Sequence, residues 1–332
     1  MNGDDLILGI ESSCDDTAVA LVDEAGTVLA SEVVSQTEIH EQWGGVYPEF
    51  ASRAHVRAIV PTIDRAMKSA QAKPDDLRAI AVTRGPGLIG SLLVGLNAAT
   101  GIGTAWDRPV IGINHLRGHL RSADLEEKRV EFPATILLVS GGHTILAHME
   151  DPGSIRILGS TRDDSVGEAY DKVARMLDLG YPGGPAVDRL AKEGRAVIDL
   201  PRPMIRDGLD FSFSGLKSAV GRKVEKAEAF EVADMAASFV ASCMDVLLAK
   251  CRRALEQVPA RSLVVVGGVA ASPQLREGAL GLTQEVGVGL CLPPLKWSTD
   301  NAAMIALAGW DYVALGQAPE PIAQPRLSIE QF

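Results

Sequence analysis

Two well-separated stretches repeat the same order of elements. In the first, the apolar run "LILGI" (6–10) is followed by a small polar turn, "ESSCDDT" (11–17), and a second apolar run, "AVALVD" (18–23). An "EAG" turn and a third run, "TVLASEVV" (27–34), complete it. In the second, "ILLVS" (136–140) leads through "GGHT" to "ILAHME" (145–150), a "DPG" turn and "SIRIL" (154–158). Each stretch reads as strand, tight hairpin, strand, turn, strand. The shared order predicts a duplicated unit, one copy per domain. A hairpin turn rich in Gly, Ser and Thr leaves backbone N–H groups in a concave bend, a setting that suits phosphate or carboxylate oxygens.

The rest of the chain supplies helices. Residues 52–70 place apolar side chains at helical spacing, with Pro61 expected to kink or break the run. Residues 165–177 and 228–257 follow the same pattern. "SLVVVGG" (262–268) is a Val-rich run of the kind buried in a sheet centre, and Ser272 with Pro273 then reads as the cap and first residue of a helix. Strands separated by helices define an α/β protein whose sheets are covered by helices. The Pro-rich stretch "QAPEPIAQPRLSIEQF" (317–332) reads as irregular.

At 332 residues there is room for two domains. The composition is 46% hydrophobic and 23% charged, with no uninterrupted apolar run of membrane-spanning length and no basic-then-apolar leader in the N-terminal stretch. Four cysteines without CxxC spacing fit reduced thiols, and a cytoplasmic protein without a membrane is expected. A net charge of −11 argues against a surface that coats nucleic acid as a whole, and leaves room for a local RNA-binding patch.

"NHLRGHL" (114–120) puts His115 and His119 four apart, on one face of a helix, where they can share a metal ion. A zincin-type protease would need glutamate directly after the first histidine. That position is Leu116, which cannot take a proton, so the protease reading fails. A third ligand must come from elsewhere. Asp300, just before the apolar run 301–309, is one candidate, with helix capping as the alternative; Asp164 and Asp171 are others. Glu168 and Asp171 fall off the apolar stripe of their helix. "YPGGPAVDRLA" (181–191) is a Gly-rich turn with Asp188 one turn inside the following helix. Lys217, Arg222, Lys223 and Lys226 make a basic stretch, either a charged surface or a phosphate contact.

Ten segments occur together and in a fixed order: "GIESSCDDTAVALVD", "GGVYPEFASRAH", "TRGPGLIGSLLVG", "NHLRGHL", "LLVSGGHT", "GEAYDKVARMLDLGYPGGP", "PRPM", "LDFSFSGLK", "VVGGVAAS" and "STDNAAMIA". In this the chain resembles the bacterial TsaD family, tRNA adenosine threonylcarbamoyltransferases formerly described as O-sialoglycoprotein endopeptidases. The resemblance spans roughly residues 6 to 310. It implies the two-lobed α/β fold of actin, sugar kinases and Hsp70 (ASKHA). Residues 1–112, rejoined by 301–332, would form the N-terminal lobe, and 113–300 the C-terminal lobe.

The resemblance also implies an activity: transfer of the threonylcarbamoyl group of threonylcarbamoyl-AMP to N6 of adenosine 37 in tRNAs reading ANN codons, with release of AMP. His115, His119 and Asp300 would hold one divalent metal, Fe2+ or alternatively Zn2+. Leu138, Val139, Ser140, Gly141, Gly142, Asp171, Gly184 and Asp188 would line the adenylate site, with Ser272 near the adenosine. Asp15, in the first hairpin, is the candidate proton acceptor. A paralogous subunit lacking the metal histidines and a small P-loop ATPase are implied partners.

Two positions depart from the pattern that the resemblance implies. Arg117 stands where the family usually has glutamate, and Ser272 where it usually has asparagine. Arg117 sits roughly 200° around a helix from either histidine, so it should not touch the metal. With Arg121 one turn on, it is expected to form a small outer basic face for tRNA or a partner. The competing expectation is a catalytically weakened tRNA- and adenylate-binding subunit. An actin-fold kinase is disfavoured because such kinases position Mg2+ with carboxylates.

Overall fold

A computed structural model describes residues 5–126, 130–226 and 230–331. In chain order the strands and helices begin with β1 (Leu6–Glu11), β2 (Asp16–Asp23), β3 (Val28–Ser35), α1 (Thr37–Glu41), α2 (Pro48–Ser69) and β4 (Leu77–Gly85). Next come α3 (Ile89–Trp106), β5 (Val110–Asn114), α4 (His115–Ser122), β6 (Ala134–Val139), β7 (Thr144–Asp151) and β8 (Ser154–Ser160). Helices α5 (Val166–Met176), α6 (Gly183–Ala191), α7 (Ser214–Glu225) and α8 (Val232–Gln257) follow. The rest are β9 (Ser262–Val266), α9 (Pro273–Val286), β10 (Gly289–Cys291) and α10 (Ala302–Ala314). The expected helix over 228–257 begins at Val232; residues 228 and 229 lie outside the described ones.

The chain divides into two units, Met1–Arg129 with Pro293–Phe332, and Val130–Leu292. Each holds one five-stranded sheet, ordered β3-β2-β1-β4-β5 in the first and β10-β9-β6-β7-β8 in the second. In both, three strands form an antiparallel meander, the meander's first strand pairs in parallel with a fourth strand, and that one pairs in parallel with the fifth. Parallel neighbours need a crossover, which α2 and α3 supply in the first unit and the helices between β8 and β10 in the second. The duplication is therefore one of topology as well as of sequence order.

The expected boundary at 112/113 is displaced to 129/130. Helix α4 stays with the first unit because it packs on α10. The contact is close: a Cβ on Gly118 would come within 2.6 Å of Ile305 Cδ1. On the same helix, a Cβ on Gly9 of β1 would run into the backbone of Ala302 and Ala306. Side chains of β1 alternate across the sheet, Ile7 packing with Ala306 and Met304 of α10, while Leu6, Leu8 and Ile10 pack with Ile59 and Ile63 of α2. Both faces of β1 are covered, which explains its unbroken apolar run.

Pro61 does not break α2. It lies on the exposed side of the helix, where water can take the carbonyl that its missing N–H leaves unpaired. Two helices, Ile89–Trp106 and Val232–Gln257, are long and apolar enough to cross a membrane by length and composition, which the sequence reading had not anticipated. Each packs an apolar stripe within its own unit, while Ile89 and Leu93 of α3 stay exposed. Leu92, Leu96 and Ala99 of α3 join the core on one face of the first sheet, and Phe239, Val240, Val246 and Leu247 of α8 join that of the second.

Candidate metal centre and nucleotide site

The metal candidates belong to the first unit. Asn114, the last residue of β5, caps α4 by accepting the Leu116 N–H at 3.0 Å. The helix therefore starts at His115, and His115 and His119 fall on successive turns of one face with ring centroids 4.7 Å apart. Asp300 precedes α10, and because α10 packs on α4 its carboxylate meets both rings: Oδ1 is 3.1 Å from His119 Nε2 and 3.6 Å from His115 Nε2. The three ligand-type atoms lie within 4.8 Å of one another. Asp300 is not the helix cap; Asn301 caps α10 by accepting the Met304 N–H at 2.9 Å.

Behind the histidines stands a residue that the sequence reading missed. Glu11, at the end of β1 and 1% exposed, takes His115 Nδ1 at 2.8 Å and the Thr83 hydroxyl at 2.6 Å on Oε2, and the Ser13 N–H at 2.5 Å on Oε1. The only available signal was a lone acid closing an apolar strand. An ionised carboxylate only accepts, so His115 carries its proton on Nδ1 and turns Nε2 towards Asp300. Burial by itself would raise the Glu11 pKa, but the His115 charge and hydrogen bond outweigh it and hold the carboxyl below its usual 4.5. Burial would lower the His115 pKa, and Glu11 with Asp300 instead push it up to about 9.

The donor set fits a cation. His119 is fully buried; its Nε2 meets Asp300 Oδ1 at 3.1 Å without hydrogen-bond geometry, and its Nδ1 has no hydrogen-bond partner among the described residues. A buried imidazole nitrogen without a hydrogen bond is costly, and a metal bound between Nε2 and the Asp300 carboxylate would remove that cost at Nε2. Two imidazole nitrogens with one carboxylate oxygen suit a first-row divalent ion and leave coordination positions open.

The first hairpin adjoins this centre. Asp15 lies in the turn between β1 and β2, and Asp300 contributes electrostatically at both Cys14 and Asp16. His55 of α2 pins the turn, with Nε2 3.0 Å from the Cys14 carbonyl and Nδ1 2.7 Å from the Thr17 hydroxyl. A carbonyl can only accept, so His55 is protonated on Nε2 and Nδ1 accepts from Thr17. Burial, helped by Asp15, pushes the Asp16 carboxyl up to about 6, and burial raises the Cys14 thiol.

Arg117 overturns one expectation. It is 6% exposed, its Nε donates to the Ile329 carbonyl at 3.1 Å, and Asp311 and Tyr312 lie close enough to act on its charge. Arg121 is held by Asp124 and Asp311. The face opposite the histidines is thus filled by residues from the end of the chain, and no outer basic face forms there. Residues 317–331 are irregular, as expected, yet Leu327 and Ile329 are buried.

The nucleotide candidates belong to the second unit and gather around α5. The turn Ser140–His143 is closed by the Ser140 N–H on the His143 carbonyl at 2.8 Å and the His143 N–H on Ser140 Oγ at 3.1 Å. Gly141 and Gly142 are exposed, and among the described residues their N–H groups have no acceptor. Leu138 and Val139 are fully buried in β6, so only their backbone can face a ligand. Gly167 of α5 abuts this turn so closely that a Cβ would strike the Ser140 carbonyl.

Asp171 of α5 accepts the Gly183 N–H at 2.9 Å, which seats the start of α6, and a Cβ on Gly184 would meet nothing within 4 Å. Asp188 of α6, Tyr170 of α5 and Ser272 lie within electrostatic reach of one another. Burial raises the Asp188 pKa. Asp188, the Tyr170 hydroxyl and Ser272 act on one another through their side chains, with no well-aligned hydrogen bond at Asp188 Oδ1 or the Tyr170 hydroxyl among the described residues, and Tyr170 is only 1% exposed. Ser272 precedes α9 without capping it through its side chain; its hydroxyl bonds Gln274 Oε1 at 3.2 Å. Asp164 is tied to Lys172 at 3.0 Å and Lys217 at 2.7 Å, which removes it as a ligand candidate and draws Lys217 out of the basic stretch.

A family profile described as TsaD, tRNA N6-adenosine threonylcarbamoyltransferase, matches residues 27–307. The tRNA N6-adenosine threonylcarbamoyltransferase of Bacillus cereus is 50% identical over 315 residues, covering 93% of this chain and 92% of the relative. That of Streptococcus suis is 48% identical over 327 residues, covering 94% and 96%. Among solved structures, HypF from T. kodakarensis matches at TM-score 0.64 and 12% identity over 97% of this chain and 49% of that one. Component A of the (R)-2-hydroxyglutaryl-CoA dehydratase of Acidaminococcus fermentans matches at 0.57 and 16% over 93% and 99%. These structural likenesses concern the fold alone, which is the α/β fold of actin, sugar kinases and Hsp70. The chain belongs to the TsaD family and is a transferase, a tRNA N6-adenosine threonylcarbamoyltransferase that forms N6-threonylcarbamoyladenosine in tRNA.

Proposed function

We propose that the donor is threonylcarbamoyl-AMP and the acceptor N6 of adenosine 37 in tRNAs reading ANN codons. The observation that carries the reading is the convergence of His115, His119 and Asp300, with Glu11 behind His115, in a chain of this family. His115 and His119 through Nε2 and Asp300 through a carboxylate oxygen would hold one divalent ion, Fe2+ in our reading and Zn2+ as the alternative. When bound, such an ion supplies Lewis acidity towards the threonylcarbamoyl group.

The chain's own groups account for the remainder. The amides of Gly141 and Gly142 are open donors for phosphate oxygens and for the charge that grows on them as AMP leaves. Leu138, Val139 and Ser140 contribute backbone, and Asp171 sets the turn at Gly184. Asp188, Tyr170 and Ser272 offer polar atoms suited to ribose hydroxyls and the adenosine. N6 bonds to the carbamoyl carbon while the bond from that carbon to the phosphate oxygen breaks, and AMP departs with the electron pair. The proton shed by N6 passes to Asp15.

A paralogous subunit and a small P-loop ATPase are the proposed protein partners, and the cytoplasm the setting. Val56 and Val60, exposed one turn apart on α2, are in keeping with a protein-binding face. The test combines the purified chain, those partners, threonylcarbamoyl-AMP and unmodified tRNA, with mass spectrometry of the digested nucleosides. Threonylcarbamoyladenosine at position 37 is expected. Bound but unmodified tRNA would favour the alternative, a weakened binding subunit.

A further inference from the structure

Helix α4 has eight residues, too few to hold a fixed position without tertiary support. Its support on the side away from Asp300 comes from residues 317–331. The Asn114 side chain works in two directions: Oδ1 caps α4, and Nδ2 donates to the carbonyls of Ser328 at 2.7 Å and Gln331 at 3.2 Å. One turn later Arg117 Nε donates to the Ile329 carbonyl at 3.1 Å, between them. The same segment is bonded to the strands behind α4. Gly112 of β5 donates to the Pro319 carbonyl at 2.8 Å, Gln324 donates to the Arg84 carbonyl at 2.7 Å, and Gly87 donates to the Pro325 carbonyl at 3.2 Å.

The seat is shaped for this segment. A Cβ on Gly112 would stand 2.6 Å from the Glu320 carbonyl, and one on Gly85 would collide with that of Gln324. Leu327 is 4% exposed and Ile329 1%. Burying a guanidinium is unfavourable unless acceptors and charge surround it, and Arg117 has the Ile329 carbonyl of the segment at Nε with Asp311 of α10 close enough to act on its charge.

We infer that residues 317–331 are a strap that sets the metal-binding helix, and that Asn114 and Arg117 are positioning residues through which it acts on His115 and His119. The inference rests on reading His115, His119 and Asp300 as metal ligands. The side chains of Asn114 and Arg117 need not touch the ion. Their effect is on where α4 lies, and a small displacement of a ligand-bearing helix weakens a site whose donors must converge within tenths of an ångström.

Two disrupting substitutions and one conservative control separate this from a general contribution to folding. Asn114→Asp keeps an acceptor for the Leu116 N–H, so the cap survives, and loses both donors to the strap. Arg117→Met keeps the apolar stem and loses the donor, while Arg117→Lys retains a cation that can reach the carbonyl. The measurement is the Zn2+ dissociation constant by competition with a chromophoric chelator, alongside denaturant unfolding of the chelated proteins. We expect Asn114→Asp and Arg117→Met each to raise the dissociation constant ~10-fold or more, the effect typical of residues supporting metal ligands, with partial recovery in Arg117→Lys. A change in unfolding alone, with Zn2+ affinity within twofold of the parent, would overturn the inference. Failure of both variants to fold would overturn it too, since the contacts would then belong to the fold as a whole. Absence of Zn2+ binding in the parent chain would instead remove the metal reading itself.

Discussion

Glu11 Oε2 lies 2.8 Å from Nδ1 of His115, so a buried carboxylate at the end of the first strand orients a histidine that opens a helix more than a hundred residues later. The same oxygen takes the Thr83 hydroxyl from β4. Two strands of one sheet, β1 and β4, thereby fix which ring nitrogen of His115 on α4 faces Asp300. Glu11→Gln keeps the volume and removes the charge. It should weaken Zn2+ binding about 10–100-fold, as loss of a metal ligand's carboxylate partner generally does. Competition titration reads this directly, and an unchanged affinity would disprove the orienting role.

Metal uptake should release a proton. With His115 pushed up to about 9 by Glu11 and Asp300, the metal-free protein carries an imidazolium at pH 7.5, and a ligand must be deprotonated. Calorimetric titration in two buffers of different ionisation enthalpy should give release of about one proton per metal, and none in His115→Gln.

The sign for stability follows from the same shift. A pKa raised from 6.5 stabilises the metal-free fold fully below about 6.5, and this contribution fades as pH rises through about 9. Glu11, whose pKa is lowered, stays ionised throughout that window. Unfolding of chelator-treated protein should therefore show a decline between pH 6.5 and 9 that is absent in His115→Gln.

Gly9→Ala should destabilise the first unit by about 1–3 kcal/mol or more, because the added carbon meets α10 backbone rather than a side chain able to turn away. Denaturant unfolding measures the loss. Since α10 directly follows Asp300, Zn2+ affinity should fall in the same variant.

Asp15→Asn should lower kcat by ~10²–10⁴ while leaving KM for tRNA nearly unchanged, the range expected for loss of a general base. Single-turnover formation of the modified nucleoside checks it. An unaltered rate would pass the role to a neighbour such as Asp16, whose carboxyl burial pushes up to about 6.

Much of the site was legible because its residues sit where regular elements begin and end. His115 and His119 share a face at helical spacing, and Asp300 adjoins an apolar run that must be a buried helix. The hairpin turns announce themselves by Gly and Ser between apolar strands. Glu11 left no such mark: one acid at a strand end has no period, and only the fold shows it facing a histidine. Arg117 was misplaced for a related reason. A helical wheel sets it opposite the histidines, but whether that face meets solvent depended on Ile329, 212 positions away and in a stretch without periodicity. The boundary at 112/113 failed likewise, because no local signal says that α4 will pack on α10. The apolar length of α8 reflects packing around most of its circumference, whereas α3 packs a single stripe and leaves Ile89 and Leu93 exposed.

The central claim is that threonylcarbamoyl transfer by this chain depends on the His115, His119 and Asp300 centre. The direct measurement is threonylcarbamoyladenosine formed on unmodified tRNA by the chain with its partners, first stripped of metal by chelation and then reloaded with Fe2+ or Zn2+, with His119→Ala in parallel. The account predicts loss of product on stripping, recovery on reloading with one of the two ions, and no recovery in His119→Ala. Product at the parent rate from metal-free protein or from His119→Ala would contradict it.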